Sequence, residues 1–300
     1  LDNLIYYDKE FGKHSVGLTL LQSATGYHYE ESSMAAEGIP LESAKWNALS
    51  KENVSLLDEW NSGLIEKQLL SYMFRVNYDY NNKYLLTVSG RWDGASQLAE
   101  GNKWAFFPSA ALGWRLDQEE FLKDVTWLNQ LKFRLGVGVT GNSAIDPYQT
   151  KGAIVSLYYP FGSALAPGYA ASEPLIKDGA VAMANKNLSW EKTTQYNIGL
   201  DYSVLNGRIS GVLDFYTSRT TDLLMAMTIP SLNGYTNTYA NVGKTSNIGV
   251  DITLNTVNVK TRDFEWSTSI NAAWQKDKID ELTNGKEDDI NNNWFIGQAL

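Results

Sequence analysis

Apolar and polar residues alternate with a period of two through most of this 300-residue chain. Successive side chains of a β-strand point to opposite sides, so this period marks strands with one apolar face. In Ser71–Tyr80 the even positions carry Tyr72, Phe74, Val76, Tyr78 and Tyr80, against Ser71, Met73, Arg75, Asn77 and Asp79. Tyr84–Asp93 sets Tyr84, Leu86, Val88, Gly90 and Trp92 against Leu85, Thr87, Ser89, Arg91 and Asp93. Leu131–Thr140 and Gln195–Val204 repeat the pattern, the second with Tyr196, Ile198, Leu200, Tyr202 and Val204 on one face. Further strands fit 106–116, 208–217, 247–255 and 264–276, and a less regular pair fits 2–8 and 13–28. The count is about ten strands.

The connections alternate in length. Lys9–Gly12, Asn81-Asn82, Leu205–Gly207 and Thr256–Asp263 are short, while 29–68, 94–104, 141–191 and 218–243 are long. The intermediate connection 117–130 opens with Asp117-Gln118-Glu119-Glu120, the pattern of a helix N-cap with an acid at N3, and predicts a short helix. Strand by strand, every short or intermediate connection falls on one side and every long one on the other. Asn81-Asn82 and Asn206-Gly207 suit tight hairpin turns, which need positive φ. Short turns on one side and long loops on the other describe an outer-membrane β-barrel.

Aromatic spacing agrees. Tyr72 and Tyr80, Tyr84 and Trp92, and Trp266 and Trp274 are each eight residues apart on one face. Eight residues span ~26 Å along a strand, or ~20 Å of height at a ~40° tilt, close to the ~25 Å apolar band of such barrels with its aromatic girdles. Tyr72, Phe74, Val76, Leu86, Val88, Leu135, Val137, Ile198, Leu200, Leu213, Ile252 and Ile270 are therefore expected on one continuous outward face. A water-soluble sandwich also alternates, but loops beyond ~12–15 residues are unusual in a compact soluble domain.

Composition removes other classes. No apolar run approaches the ~18 residues of a membrane-spanning helix. With 25 basic against 34 acidic residues the net charge is −9, which disfavours nucleic acid as a partner. Cysteine is absent and only two histidines exist, which leaves little for thiolate or histidine chemistry. No internal repeat of fixed period is found. The chain starts at Leu1 without a leader and stops at Leu300 in mid-pattern, so a piece of a longer chain is expected.

Several stretches resemble a known family. They include Ser71–Tyr78, Lys83–Thr87, Arg91-Trp92-Asp93-Gly94-Ala95-Ser96, Phe107-Pro108-Ser109-Ala110, Leu131-Lys132-Phe133-Arg134 and Gly138-Val139-Thr140-Gly141-Asn142. Trp190–Gly199, Arg208–Gly211, Thr220-Thr221-Asp222-Leu223-Leu224 and Asn241-Val242-Gly243-Lys244 follow in the same order. Together they resemble the SusC/RagA family of TonB-linked outer-membrane proteins over most of residues 70–280. The resemblance implies a 22-stranded barrel with an N-terminal plug, energised through TonB in a Gram-negative outer membrane. It also implies a SusD-like lipoprotein lid and import of oligosaccharides or peptides. No plug or TonB box is found in residues 1–300, and about ten strands cannot close a barrel of that size. The expected domain is a partial barrel across 1–300, an all-β antiparallel transmembrane segment in outer-membrane lipid, with no enzymatic role. The alternative is a soluble β-rich glycan-binding or adhesin-like domain, and a third reading is a glycoside hydrolase.

No cofactor or metal is expected. Gly136–Gly141 spells G-x-G-x-x-G, but loop rather than helix follows, so Gly136 and Gly138 read as strand positions facing the lumen. The acid pairs Glu119-Glu120 and Asp288-Asp289 read as a helix start and a polar run rather than as paired catalytic carboxylates. Carboxylates in 29–68 are the one place for a bound ion. His14 and His28 read as strand ends, and Arg75, Arg91, Arg115 and Arg134 as lumen residues. Loop aromatics are the candidates for substrate contact: Tyr158, Tyr159, Phe161 and Tyr169 in 141–191, and Tyr235 and Tyr239 in 218–243. Aromatic faces stack on sugars and fill peptide pockets.

Overall fold

The alternating stretches are rich in Val, Ile, Tyr, Trp and Thr, which suit a pleated surface, and all of them form strands. The structure is a computed structural model and describes residues 1–37, 55–151, 155–162, 164–170, 183–230, 237–282, 285, 287–290 and 293–299. In chain order the strands are β1 (Asp2–Phe11), β2 (His14–Glu37), β3 (Ser55–Tyr80), β4 (Tyr84–Ala95), β5 (Trp104–Arg115), β6 (Leu128–Asn142) and β7 (Val155–Phe161). Then come β8 (Ala164–Ala170), β9 (Glu191–Val204), β10 (Ile209–Thr221), β11 (Leu224–Thr228), β12 (Asn237–Asn241), β13 (Lys244–Lys260) and β14 (Glu265–Glu281). Ten of them form one sheet in the order β1-β2-β3-β4-β5-β6-β9-β10-β13-β14. The pairs β7–β8 and β11–β12 are separate hairpins inside two long connections. No helix among the described residues is long and apolar enough to cross a membrane.

Two compact units divide the chain: Leu1–Ala24 with Leu69–Leu300, and Thr25–Gln68. In the second, His28 contacts Glu66 at 3.0 Å and Lys67 lies 4.8 Å over the Tyr27 ring. Most of this unit was expected to be loop. Its described residues are strand instead, parts of β2 and β3, which have 24 and 26 residues where ~9–11 cross a membrane. Outside a hydrocarbon band neither face of a strand needs to be apolar, so period two gives no signal there. The candidate ion-binding carboxylates of 38–54 lie outside the described residues.

The hairpin turns follow the expected chemistry. Asn81 and Asn82 take φ of 56° and 53°, and the Lys83 N–H donates to the Tyr80 carbonyl at 3.0 Å. At the second turn the left-handed run includes Leu205 as well as Asn206 and Gly207, at 56°, 57° and 77°. The helix expected at 117–130 is two single 3-10 turns, Leu116–Gln118 and Glu120–Leu122. Asp117 does not cap. Its carboxylate accepts hydrogen bonds from Arg115, Gln118 and the Leu131 N–H, which ties this connection to the start of β6.

Cross-strand register makes one face of the sheet apolar without a break. One rung reads Tyr78–Leu86–Leu112–Leu135–Ile198–Phe215–Val250–Trp274. A neighbouring rung reads Tyr84–Trp114–Phe133–Leu200–Leu213–Ile252–Ala272. Among the described residues nothing is stacked on this face: Leu112, Ile198, Ile270 and Trp274 are 55%, 47%, 53% and 57% exposed. A sandwich would bury these residues, so the apolar face meets lipid.

The girdles drift across the rungs. Trp92 and Trp274 should both mark the upper rim, yet Trp274 shares the rung of Leu86, six residues from Trp92 and six strand steps away. Tyr84 and Trp266 show the same six-residue offset at the lower rim, since Tyr84 shares its rung with Ala272. At ~3.3 Å per residue and ~4.8 Å per strand, this is ~20 Å of slip over ~29 Å of width, a strand tilt of ~35°. Outer-membrane barrels tilt by ~35–45°. The chain is an antiparallel segment of a transmembrane β-barrel wall, left open between β1 and β14.

Val88 lies midway between Tyr84 and Trp92 on the lipid face. Val88→Arg is expected to lower stability by ~2–4 kcal/mol, and Gln195→Arg on the opposite face by much less. Urea unfolding of the intact protein in lipid vesicles measures both, and equal losses would contradict the assignment of faces.

Candidate functional site

The long connections meet in a small core at their end of the sheet. Ala95, Leu98, Phe107, Ile145, Leu188 and Trp190 are buried together, with Leu69, Ala105, Val139, Leu224 and Tyr239 packed against them. Trp190 is its centre. Its indole N–H donates to the Lys103 carbonyl at 2.8 Å, and its ring meets Phe107 edge-on at 5.2 Å. Phe107 in turn lies so close over Gly141 that a Cβ there would come within 2.1 Å of the ring. This contact explains the last glycine of the G-x-G-x-x-G run.

Asparagines brace the loops around this core. The Asn241 amide donates to Ser189 O and Asp222 O at 2.8 and 3.0 Å, and its oxygen accepts from the Ser189 N–H at 2.7 Å. Asn185 donates to Tyr239 O at 2.8 Å, and Asn102 to Asn187 O at 3.0 Å. Gln97 donates to Ser143 O at 3.0 Å. Glu191 accepts from the Leu224 N–H at 3.1 Å and from Asn142 at 3.2 Å. The stretches that carried the family resemblance, around Phe107, Gly141-Asn142, Trp190-Glu191, Asp222–Leu224 and Asn241, converge here. They are far apart in sequence, and the only sequence signal was that each sits where a strand meets a long connection.

The predicted aromatics divide. Tyr158, Tyr159, Phe161 and Tyr169 are in the β7–β8 hairpin, where Tyr158 pairs with Pro167, Tyr159 with Ala166, Phe161 with Ala164 and Tyr169 with Ser156. Tyr235 lies outside the described residues. Tyr239 is on β12 opposite Ala226 and packs against the buried core, a bracing position.

The polar face of the sheet is lined with fixed charges. Arg134 forks between Asp201, at 2.9 and 3.1 Å, and Asp214, at 3.1 Å to each oxygen. Gly199 leaves room for this triad, since a Cβ there would lie 2.6 Å from the guanidinium. Arg91 binds Asp93 at 2.7 Å and Ser71 at 2.8 Å, and Arg115 pairs with Asp117 at 2.9 Å. Arg75 is exposed. Arg134, Arg91 and Arg115 are each balanced where they stand, which suits a hydrated wall. His14 bonds Tyr78 at 2.8 Å and stacks on Phe11, a strand-end role. Among the described residues no group of His, Asp or Glu is placed to hold a metal ion.

The acid pairs do not face each other. Glu119 accepts from Tyr84 at 2.7 Å, Trp114 at 3.0 Å and Lys83 at 3.2 Å, while Glu120 pairs with Lys123. Asp288 accepts from the Ile296 N–H at 2.7 Å. The hydrogen bond from Tyr84, then those from Trp114 and Lys83, hold the Glu119 carboxyl below its ordinary value of 4.5. For Asp117, burial opposes ionisation, but the bonds from Gln118, Arg115 and Leu131 outweigh it and the carboxyl also stays low.

Trp190→Ala is expected to cost ~3–5 kcal/mol of local packing. Limited proteolysis should then cut 94–104 and 183–190 of the intact protein faster, while the barrel keeps its heat-resistant band on gels. A depressed carboxyl stabilises above its ordinary value and loses that contribution as pH falls through its folded value. Glu119→Gln should therefore be less stable than wild type near neutrality, and the gap should close below 4.5. Denaturant midpoints across that range test it, and a gap independent of pH would contradict it.

A family model described as TonB dependent receptor-like, beta-barrel, matches residues 5–297. TonB-dependent receptor SusC of Bacteroides thetaiotaomicron is 39% identical over 255 residues, which are 81% of this chain and 24% of SusC. TonB-dependent receptor P3 of Formosa agariphila is 33% identical over 289 residues, 95% of this chain and 28% of P3. The solved RagAB peptide transporter is similar over 99% of this chain and 32% of its own, at 25% identity and a TM-score of 0.84. The chain thus spans about a quarter of the length of the curated relatives it matches. It belongs to the TonB-dependent receptor β-barrel family.

Proposed function

We propose that residues 1–300 are part of the barrel domain of an outer-membrane nutrient importer. The observation that carries this reading is the arrangement of three surfaces: an apolar outer face, a charged and hydroxylated inner face, and long connections braced on one buried core. A wall of this kind passes hydrated solute and needs no bond chemistry of its own. Transport would draw on TonB through a plug, and a SusD-like lipoprotein would cover the long-loop end. The names of the relatives support this, since one is the receptor SusC and the solved neighbour is a peptide transporter. Oligosaccharides or peptides are the proposed substrates, and the proposed contacts are Tyr158, Tyr159, Phe161 and Tyr169 of the β7–β8 hairpin, together with Tyr235 and Tyr239. The soluble glycan-binding alternative is disfavoured by the uncovered apolar face, which water would not tolerate over so many strands.

Deleting 155–170 from the intact transporter is expected to reduce uptake of its oligosaccharide or peptide, or co-purification of the lid, with barrel assembly unchanged. Labelling of whole cells gives an independent reading: a tag in 155–170 should be reached from outside, and a tag at Asn81-Asn82 should not. Unchanged uptake and lid binding would reduce the hairpin to a packing role.

A further inference from the structure

Above the upper girdle the lipid-facing side changes character along the last four sheet strands. Three successive rungs across β9, β10, β13 and β14 read Tyr196–Thr217–Ile248–Lys276, Thr194–Arg219–Ser246–Lys278 and Lys192–Thr221–Lys244–Glu281. Apart from Glu281, which a register shift brings opposite Lys244, these positions have the parity of Ile198, Phe215, Val250 and Trp274 and belong to the lipid face. The girdle drifts by one residue per strand, and carried from Trp92 to Trp274 it passes close to Tyr196 and Thr217. Lys192, Arg219, Lys244, Lys276 and Lys278 then lie about two to five residues beyond it, at the depth of lipid headgroups.

Five cations share this sector with two carboxylates, Asp280 and Glu281, in a chain whose net charge is −9. Lys278 pairs with Asp280 at 3.0 Å and Lys244 with Glu281 at 2.6 Å. Among the described residues Lys192 and Lys276 form no ion pair, while Arg219 lies within range of the Asp280 charge. Thr217, Arg219, Ser246 and the two carboxylates line a cleft of about 450 Å³. At the matching depth, two residues beyond Trp92, β3, β4 and β5 carry Leu70, Gly94 and Trp104, so the charge is confined to the later strands of the segment.

We propose that this sector binds the phosphate groups of an outer-leaflet lipid headgroup. Unpaired cations at a hydrocarbon boundary need an anion, and an arginine fork beside serine and threonine hydroxyls suits phosphate oxygens. Four strands and three rungs cover about 14 by 13 Å, room for more than one phosphate. The location selects a lipid over a soluble anion, because the acyl chains below such a headgroup would lie on Tyr196, Ile248 and Trp274. The proposal rests on the orientation given above, with long loops outward.

The test uses the intact transporter in dodecyl maltoside, mixed with lipid A, which carries two phosphates, or with phosphatidylcholine, and read by native mass spectrometry. Wild type should retain lipid A in preference to phosphatidylcholine, and millimolar inorganic phosphate should not displace it. Arg219→Gln/Lys276→Gln/Lys278→Gln should bind lipid A about tenfold or more weakly while keeping its heat-resistant band. Lys260→Gln, at the other rim, should match wild type. Equal retention by the triple variant, equal retention of phosphatidylcholine, or displacement by inorganic phosphate would each overturn the proposal. Uptake by wild-type cells is measured separately, so a failure of the import reading would be seen apart from a failure of lipid binding.

Discussion

Inside a bilayer no water is available to a backbone N–H or C=O, and each one left unpaired costs several kcal/mol. The unbroken ladder of pairs from β3 to β14 answers that constraint, and the rest of this segment follows from it. Once the ladder is set, parity decides which side chains meet lipid. A chain with 20% charged residues can then present a face without charge across the hydrocarbon depth, because the charges sit on the other parity or beyond the girdles. The Arg134 triad and the pair of Arg91 with Asp93 belong to that other parity. They lie on the same strands, one residue away from Leu135 and Trp92.

The buried core at the loop end solves a different problem. A barrel wall has no interior of its own between layers, so long connections have little to pack against. Here they make a core from their own residues and the ends of β4, β5 and β9, around Trp190. Hydrogen bonds from Asn241, Asn185 and Asn102 fix backbone that has no ladder partner. The result places the β11–β12 hairpin on a firm base through Leu224 and Tyr239. Sequence can then vary in the connections without disturbing the wall.

Much of the wall was legible in the sequence, and the reason is physical. Lipid on one side and water on the other impose period two wherever a strand crosses, so Tyr72–Tyr80, Tyr84–Trp92 and Gln195–Val204 announced themselves. Asn81-Asn82 did too, because few residues accept two positive φ values in succession. Where that asymmetry ends, so did the reading. The continuations of β2 and β3 carry no alternation and looked like loop. Asp117 resembled a cap because its neighbours suit one, but Arg115, Gln118 and the start of β6 offered it better partners. The core around Trp190 left no local trace, since Phe107, Gly141 and Trp190 are joined by topology alone. Of the six aromatics singled out for substrate contact, Tyr239 turned out to brace the core, and four share one hairpin.

The one-residue drift of the girdle per strand behaves like the thread of a screw. Because every rung is tied to its neighbours, adding one residue inside β6 would reverse the parity of the remainder of that strand. Adding two would keep parity but lift the far part of the strand by ~7 Å against its partners. Neither change can be absorbed locally, whereas a loop of any length leaves the thread unaltered. Lineages built on this wall are therefore free to lengthen only outside it. Divergence in size among them should collect in the connections at one rim, with the strand spacing between girdles held like the pitch of a bolt.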